Sequence, residues 1–347
     1  MKNLRFVCLS VVMVILFACK NKPIVSFNEN NSANKIDVLV DGALFTTFRW
    51  QDNICKPVLY PINASSGTEV TRGFPLNPKA GERADHPHQI GMWLTYGNVN
   101  GNDFWGNGSK GLGTKNPNAG VIKHLKIENI KEGKEMGTIV TSESWIDSTG
   151  TELLKEHTEY NFIAKSNIRI IDRKTQLTAG KQDVKMPDTK EGMFGIRVAR
   201  QLEIPSDGTK ELYNADGTIS RVKDTLNIGI TGNYISSEGT SGIDVWGTRA
   251  KWMKLEGKIG EEHLSVIICD HPANPNYPTY WHARGYGLFS ANPLGVKDFT
   301  EGAENLNFVI PAGGEVTFRY RVIISSDIKM EEMEINKLAE EFAASKN

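Results

Sequence analysis

The stretch ADHPHQIGMW places Asp85, His86 and His88 around a proline, directly before an apolar run, in a chain that has seven histidines. A His-x-His spacing on an extended segment puts both imidazoles on one face. Pro87 stiffens the pair and removes a backbone donor. Two imidazoles beside a carboxylate suit metal binding or general acid/base work, because neutral imidazole is both a ligand and a base that titrates near neutrality. The competing reading is a hydrogen-bonded loop with no chemistry.

A second segment, DHPANPNYPTYWHARGYG, brings Asp270, His271, Trp281, His282, Arg284 and Tyr286 together in proline-rich sequence. Long ordered loops of this kind tend to carry function. Trp281 and Tyr286 offer flat apolar faces for the C–H face of a sugar ring, and arginine and histidine bind hydroxyl or carboxylate oxygens. His86, His88, His271 and His282 are therefore expected as acids and bases of one carbohydrate site, or as ligands of a divalent metal ion. Trp93, beside Ile90 and Met92, reads as core.

Three further stretches add candidates. SSGTEVTRGFPLNP puts Glu69 and Arg72 in a loop, where Arg72 binds an anion or ties down carbonyls. NVNGNDFWGNG supplies Asn100 and Asp103 for hydroxyl recognition or acid/base work, with Trp105 as a second stacking platform or as a plug at the sandwich edge. KEGMFGIRVAR sets Glu191 and Arg197 at the start of a strand, as an acid/base carboxylate held near a cation or as a plain salt bridge. The chain has no phosphate-binding glycine loop, no G-x-S-x-G, no H-E-x-x-H and no C-x-x-C.

The elements that must position these residues are mostly strands. KIDVLVDGALFTTF alternates, turns at Asp41-Gly42 and continues, which predicts a hairpin. In EVTFRYRVII, Val316, Phe318, Tyr320, Val322 and Ile324 take one face and Thr317, Arg319 and Arg321 the other. Successive strands with Gly, Asn, Asp and Pro turns and no long helices between them predict an all-β fold, a large antiparallel sandwich over 36–347. YNADGTISRVKDTLN reads as a surface hairpin. The exception is a short C-terminal helix after a Ser326 or Asp327 cap, with Ile335, Leu338, Ala339 and Phe342 on one face.

The formal charge of −1, with 39% hydrophobic and 23% charged residues, suits a globular chain and offers no basic stripe for nucleic acid. The start, MKNLRFVCLSVVMVILFAC, has a basic end and an apolar run from Phe6 to Ala18, too short to span a bilayer. Its LFAC resembles a bacterial lipobox, which makes 1–18 a signal peptide, Cys19 the lipidated residue and 19–35 a flexible tether. The chain is thus expected to be exported and lipid-anchored in the cell envelope, on the periplasmic side because KNKP after Cys19 lacks an acidic run. Cys55 and Cys269 read as core residues, although an exported chain permits a bridge between them.

KPVLYPINASSGTEVTRGFP, DHPHQIGMWLTYGNVNGNDFW, EGMFGIRVA and HPANPNYPTYWHARGYGLFSANPLG together resemble the bacterial PmoA-like family, or "methane oxygenase PmoA", over roughly residues 36 to 325. The resemblance implies an exported protein of Bacteroidetes or Planctomycetes, often encoded near sugar-metabolising genes. Where that family commonly has a third histidine, this chain has Gln89. The ending LNFVIPAGGEVTFRYRVIIS is similar to galactose-mutarotase-like sandwiches, which implies a fold shared by sugar epimerases, polysaccharide lyases and some glycosidases, and fold does not settle reaction. The expected function is a carbohydrate-active enzyme working by proton transfer, as an epimerase, lyase or hydrolase. In it Arg72, Arg197 and Arg284 bind oxygens, and Glu191 or Asp103 supplies the second acid/base. The alternatives are a non-catalytic glycan-binding lipoprotein and a copper or iron oxidase with the four histidines as ligands.

Overall fold

The structure, a computed structural model, describes residues 22–106, 116–223 and 227–345. Cys8, Cys19 and the expected signal peptide lie outside these residues. Among them, two large antiparallel sheets face each other. The first has nine strands in the spatial order Tyr280–Ala283, Leu288–Asn292, Phe194–Arg197, Met92–Leu94, Val58–Ile62, Ala43–Arg49, Lys35–Val40, Ile24–Asn30 and Gly133–Lys134. The second has eight: Asn233–Ser236, Trp252–Ile259, Glu262–Asp270, Glu315–Ser326, Ile168–Ala179, Glu152–Lys165, Met136–Ile146 and Val121–Lys131. One continuous apolar cluster fills the space between them, with Phe48, Met92, Phe194 and Phe289 from the first sheet against Ile139, Phe162, Val266 and Phe318 from the second. Each such side chain, fully buried, contributes about 1.5–3 kcal/mol. The all-β sandwich with a C-terminal helix is thus the fold that strand periodicity predicts.

The predicted hairpin forms between Lys35–Val40 and Ala43–Arg49, with Asp41 and Gly42 at φ of 50° and 81°, the positive values of its tight turn. The surface hairpin also forms, between Thr209–Tyr213 and Ile219–Lys223. The expected tether is folded from Ile24 onward. Val25 and Phe27 face Val40 and Val38 across a paired strand, and the burial of Val25 accounts for that order.

The strand Glu315–Ser326 is buried on both faces toward its end, because the helix Glu332–Ala344 covers the outer face with Ile335, Leu338 and Phe342. Arg321, expected on an open polar face, is buried beneath that helix. It pairs with both oxygens of Asp172 at 2.6 and 2.7 Å and donates to the Leu338 carbonyl at 2.8 Å. The helix starts later than its expected cap: Glu331 occupies that place, Ser326 still belongs to the strand, and Asp327 sits at φ 51°. Cys55 and Cys269 are both buried and are not bridged to each other. No helix of the described residues is long and apolar enough to cross a membrane.

Candidate functional site

The residues of ADHPHQ sit at one end of the nine-stranded sheet, on a segment with little regular structure. Side chains hold its backbone: Glu82 accepts from the amides of Gly73, Phe74 and Lys79 at 2.8, 3.0 and 3.0 Å. Gly91 ends the segment at φ +54°, where a Cβ would lie 2.1 Å from the Leu59 carbonyl, so only glycine lets the loop enter the strand Met92–Leu94.

Beside it, the Arg72 amide bonds the Arg197 carbonyl at 3.0 Å, which sets two buried arginines next to each other. Asp85 lies between them. Its Oδ1 accepts from Arg72 Nη1 at 3.0 Å and from Arg197 Nη2 at 2.7 Å. Arg72 spends its remaining terminal donors on the carbonyls of Asp85, His86 and Gln89, at 2.8, 2.9 and 3.1 Å. Burial opposes ionisation of Asp85, but the hydrogen bond from His86 and the charges of Arg197 and Arg72 outweigh it and hold the carboxyl well below the usual range.

The same oxygen lies 3.2 Å from Nδ1 of His86, whose side chain is 41% exposed. A carboxylate at Nδ1 selects the tautomer with its proton there, leaving the Nε2 lone pair free. The ring stacks on Tyr286 at 5.0 Å between centroids and 2° between planes. Gln89 bridges this wall to the arginines, accepting from Arg197 Nη1 and bonding the Tyr286 side chain. His86 adopts φ 45°, a left-handed value uncommon outside glycine, and such outliers concentrate at functional sites.

Glu191, half-buried, completes the group. Burial raises its carboxyl above the usual range, the nearby charges of Lys190 and His86 oppose this, and Asp103 adds to it. Lys190 Nζ approaches its Oε1 only to 3.7 Å. A carboxyl shifted upward by burial, within electrostatic reach of an oriented imidazole, sets a candidate acid near a candidate base. His88 is half-buried: burial, with the charges of Lys56, His86, Arg72 and Arg197, pushes it down to about 2, so it stays neutral.

The geometry corrects several expectations. The two histidines do not share an extended face. They flank a turn closed by the Gln89 amide on the His86 carbonyl at 3.0 Å, with their rings edge to face at 5.7 Å. The four histidines do not converge on a metal. His271 packs against Phe342 of the C-terminal helix at 5.0 Å, and His282 is buried with Nδ1 2.6 Å from the Lys190 carbonyl. Among the described residues no three His, Cys, Asp or Glu side chains form a metal-sized group. The same burial removes His271 and His282 as acid/base groups.

Trp281 and Trp105 are buried and offer no face to a sugar; Trp281 donates to the Ala250 carbonyl at 3.1 Å, and Trp105 packs on Trp93 at 5.4 Å. Arg72 and Arg197 bind Asp85, not ligand oxygens. Asp103 closes a turn, accepting from the amides of Trp105 and Gly106 at 2.8 and 3.1 Å. Asn100 ties two loops elsewhere through Lys185 and Asp183. His86, His88, Glu191, Tyr286 and Arg284 remain grouped, with Arg284 close enough to act on Tyr286 electrostatically.

Two contributors were missed. Asp85 is read from sequence only as a neighbour of the histidines. Lys56 is buried over Trp93, donates to the Trp105 carbonyl at 2.6 Å and is pushed down to about 7 by burial, against the opposing influence of Cys55 and Asp103. Its signal is a lone lysine in the apolar NICKPVLY.

With this geometry in place, the chain can be compared with known proteins. Residues 35–340 match the profile of a family described as "Family of unknown function (DUF6807)", and the chain belongs to that family. This corrects the PmoA-like resemblance. No curated protein matches. Among solved structures, the galactosidase domain of the alpha-galactosidase-sucrose kinase AgaSK is 10% identical with TM-score 0.38, over 87% of this chain and 41% of its own length. This chain therefore spans about two fifths of that domain. An aldose epimerase homologue from C. elegans is 8% identical with TM-score 0.28, over 87% of this chain and 98% of its own. A galactose mutarotase related enzyme from Lactobacillus acidophilus is 11% identical with TM-score 0.27, over 88% and 98%.

Proposed function

We propose that this member of the DUF6807 family acts on a sugar or glycoside by proton transfer, with His86 as the base and Glu191 as the acid. The observation that carries the reading is the Asp85–His86 pair. Two buried arginines hold the carboxylate, the carboxylate orients the imidazole, and the imidazole presents its free nitrogen to solvent against Tyr286. A base must be oriented and accessible, and His86 is both, with Glu191 within electrostatic reach of it. A wall of Tyr286, His86 and Arg284 supplies flat faces and oxygen-binding donors suited to a hydroxylated ring. The similarity of the chain's ending to galactose-mutarotase-like sandwiches supports the same substrate class.

The test is calorimetry and NMR with a panel of aldoses and methyl glycosides, on wild type, His86→Asn and Glu191→Gln. Asparagine is chosen because it tolerates the left-handed backbone at position 86. Turnover of a responding sugar that falls about a hundredfold or more in both variants supports the reading. Binding that persists with no turnover in wild type assigns the chain to the non-catalytic glycan binders. The proposal includes export with lipidation at Cys19, for which Cys19→Ala should release the protein from the membrane fraction.

A further inference from the structure

Near Tyr286, on which His86 stacks, lies a cation with no carboxylate partner among the described residues. Arg284 sits in the turn between Tyr280–Ala283 and Leu288–Asn292, its backbone fixed by bonds to Leu288 and Gly287 at 2.7 and 3.0 Å. Its guanidinium is half-buried and rests on the Trp246 ring at 5.3 Å. Among the described residues it has no carboxylate and no hydrogen-bond acceptor. That contrasts with Arg72, Arg83 and Arg197 nearby, each paired with a carboxylate at 3.0, 2.7 and 2.7 Å. Trp246 Nε1 is a second donor at this place, buried with no partner.

Neither carboxyl close by pairs with this guanidinium. Glu191 faces Lys190 at 3.7 Å, and Asp298 Oδ2 accepts the Lys190 amide at 2.6 Å. A guanidinium immobilised on an aromatic face, partly desolvated and unpaired, is arranged for a planar carboxylate, which it can take with two parallel hydrogen bonds.

We propose that the substrate is an acidic sugar, a uronic acid or uronate-containing glycan, whose carboxylate binds Arg284 while the ring lies against His86 and Glu191. The inference rests on the reading of this site as a sugar site and names the class of sugar. It places selection in Arg284 and leaves proton transfer to the other two residues.

The experiment compares galacturonate and glucuronate with their methyl esters and with galactose and glucose, by calorimetry at fixed ionic strength, on wild type, Arg284→Met and Arg284→Lys. The wild type is expected to favour the uronates at least tenfold over the esters and the neutral sugars. Arg284→Met should reduce that preference to within about twofold, and Arg284→Lys, which keeps the charge but not the fork, should retain part of it. Equal binding of acidic and neutral sugars by wild type, or a preference that survives Arg284→Met, overturns the inference and leaves the sugar site standing. Absence of binding by every sugar tested overturns the sugar site and the inference with it.

Discussion

Two histidine–carboxylate pairs in this molecule look alike on paper and differ in everything that decides chemistry. His86 and Asp85 lie 3.2 Å apart at the end of one sheet; His124 and Glu143 lie 2.9 Å apart on the inner side of the other. Asp85 is held below the usual carboxylate range, against its burial, by the hydrogen bond from His86 and by two flanking guanidinium groups. Glu143 is driven well above the usual carboxylate range by burial and by neighbouring Glu156. His86 is open to solvent, whereas His124 is sealed under Trp50 at 4.6 Å and Phe48 at 5.6 Å. Around Glu156 every bond is taken: Trp145 Nε1 donates at 2.7 Å, Thr158 at 2.7 Å and Arg173 at 2.8 Å. The sealed pair is a satisfied network that joins strands, and the open pair has a nitrogen left over. Access and an unspent donor or acceptor, not residue type, separate a site from a brace.

The contrast can be broken most forcefully at Asp85. Asp85→Asn leaves Arg72 and Arg197 buried without their counter-charge, and should cost about 3–5 kcal/mol in chemical denaturation as well as any turnover. Glu156→Gln makes the matching change in the brace. It should cost about 3 kcal/mol through the stranded Arg173, yet leave sugar binding unchanged in calorimetry.

Next comes pH, where the two carboxyls act with opposite sign. The depressed Asp85 contributes stability that is full above the ordinary carboxylate pKa and is lost as pH falls through its lowered value. The raised Glu143 contributes stability that is full below the ordinary pKa and is lost as pH rises toward its raised value. Melting curves across pH should therefore show Glu143→Gln gaining on wild type as pH rises, and Asp85→Asn losing less ground to wild type in acid than at neutrality. The smallest effect belongs to Asn100→Ala, which removes two loop bonds for about 1 kcal/mol and leaves calorimetric binding untouched.

Much of the fold was legible because its signals are local. The Asp41-Gly42 turn, the alternation through Val316 to Ile324, and the spacing of Ile335, Leu338 and Phe342 each follow from a short window of sequence. What covers a strand is not local. Alternation puts Arg321 on a polar face, while the helix that buries it arrives later in the chain, and the strands that order Ile24–Asn30 lie downstream of it.

The site shows the same division. His86, Glu191, Tyr286 and Arg284 could be picked as types suited to chemistry, but three separate loops bring them together. His271 and Trp281 had the same credentials, and a helix and a core took them instead. Nothing in the spacing of Arg72 and Arg197 shows that both close on Asp85 rather than on a ligand.

The difference between the two pairs is tested most directly by turnover of a responding sugar, followed by NMR on wild type, His86→Asn and His124→Asn side by side. Turnover should fall about a hundredfold or more in His86→Asn and stay within about threefold of wild type in His124→Asn. Turnover that survives His86→Asn, or is lost only in His124→Asn, contradicts the assignment of His86 as the base.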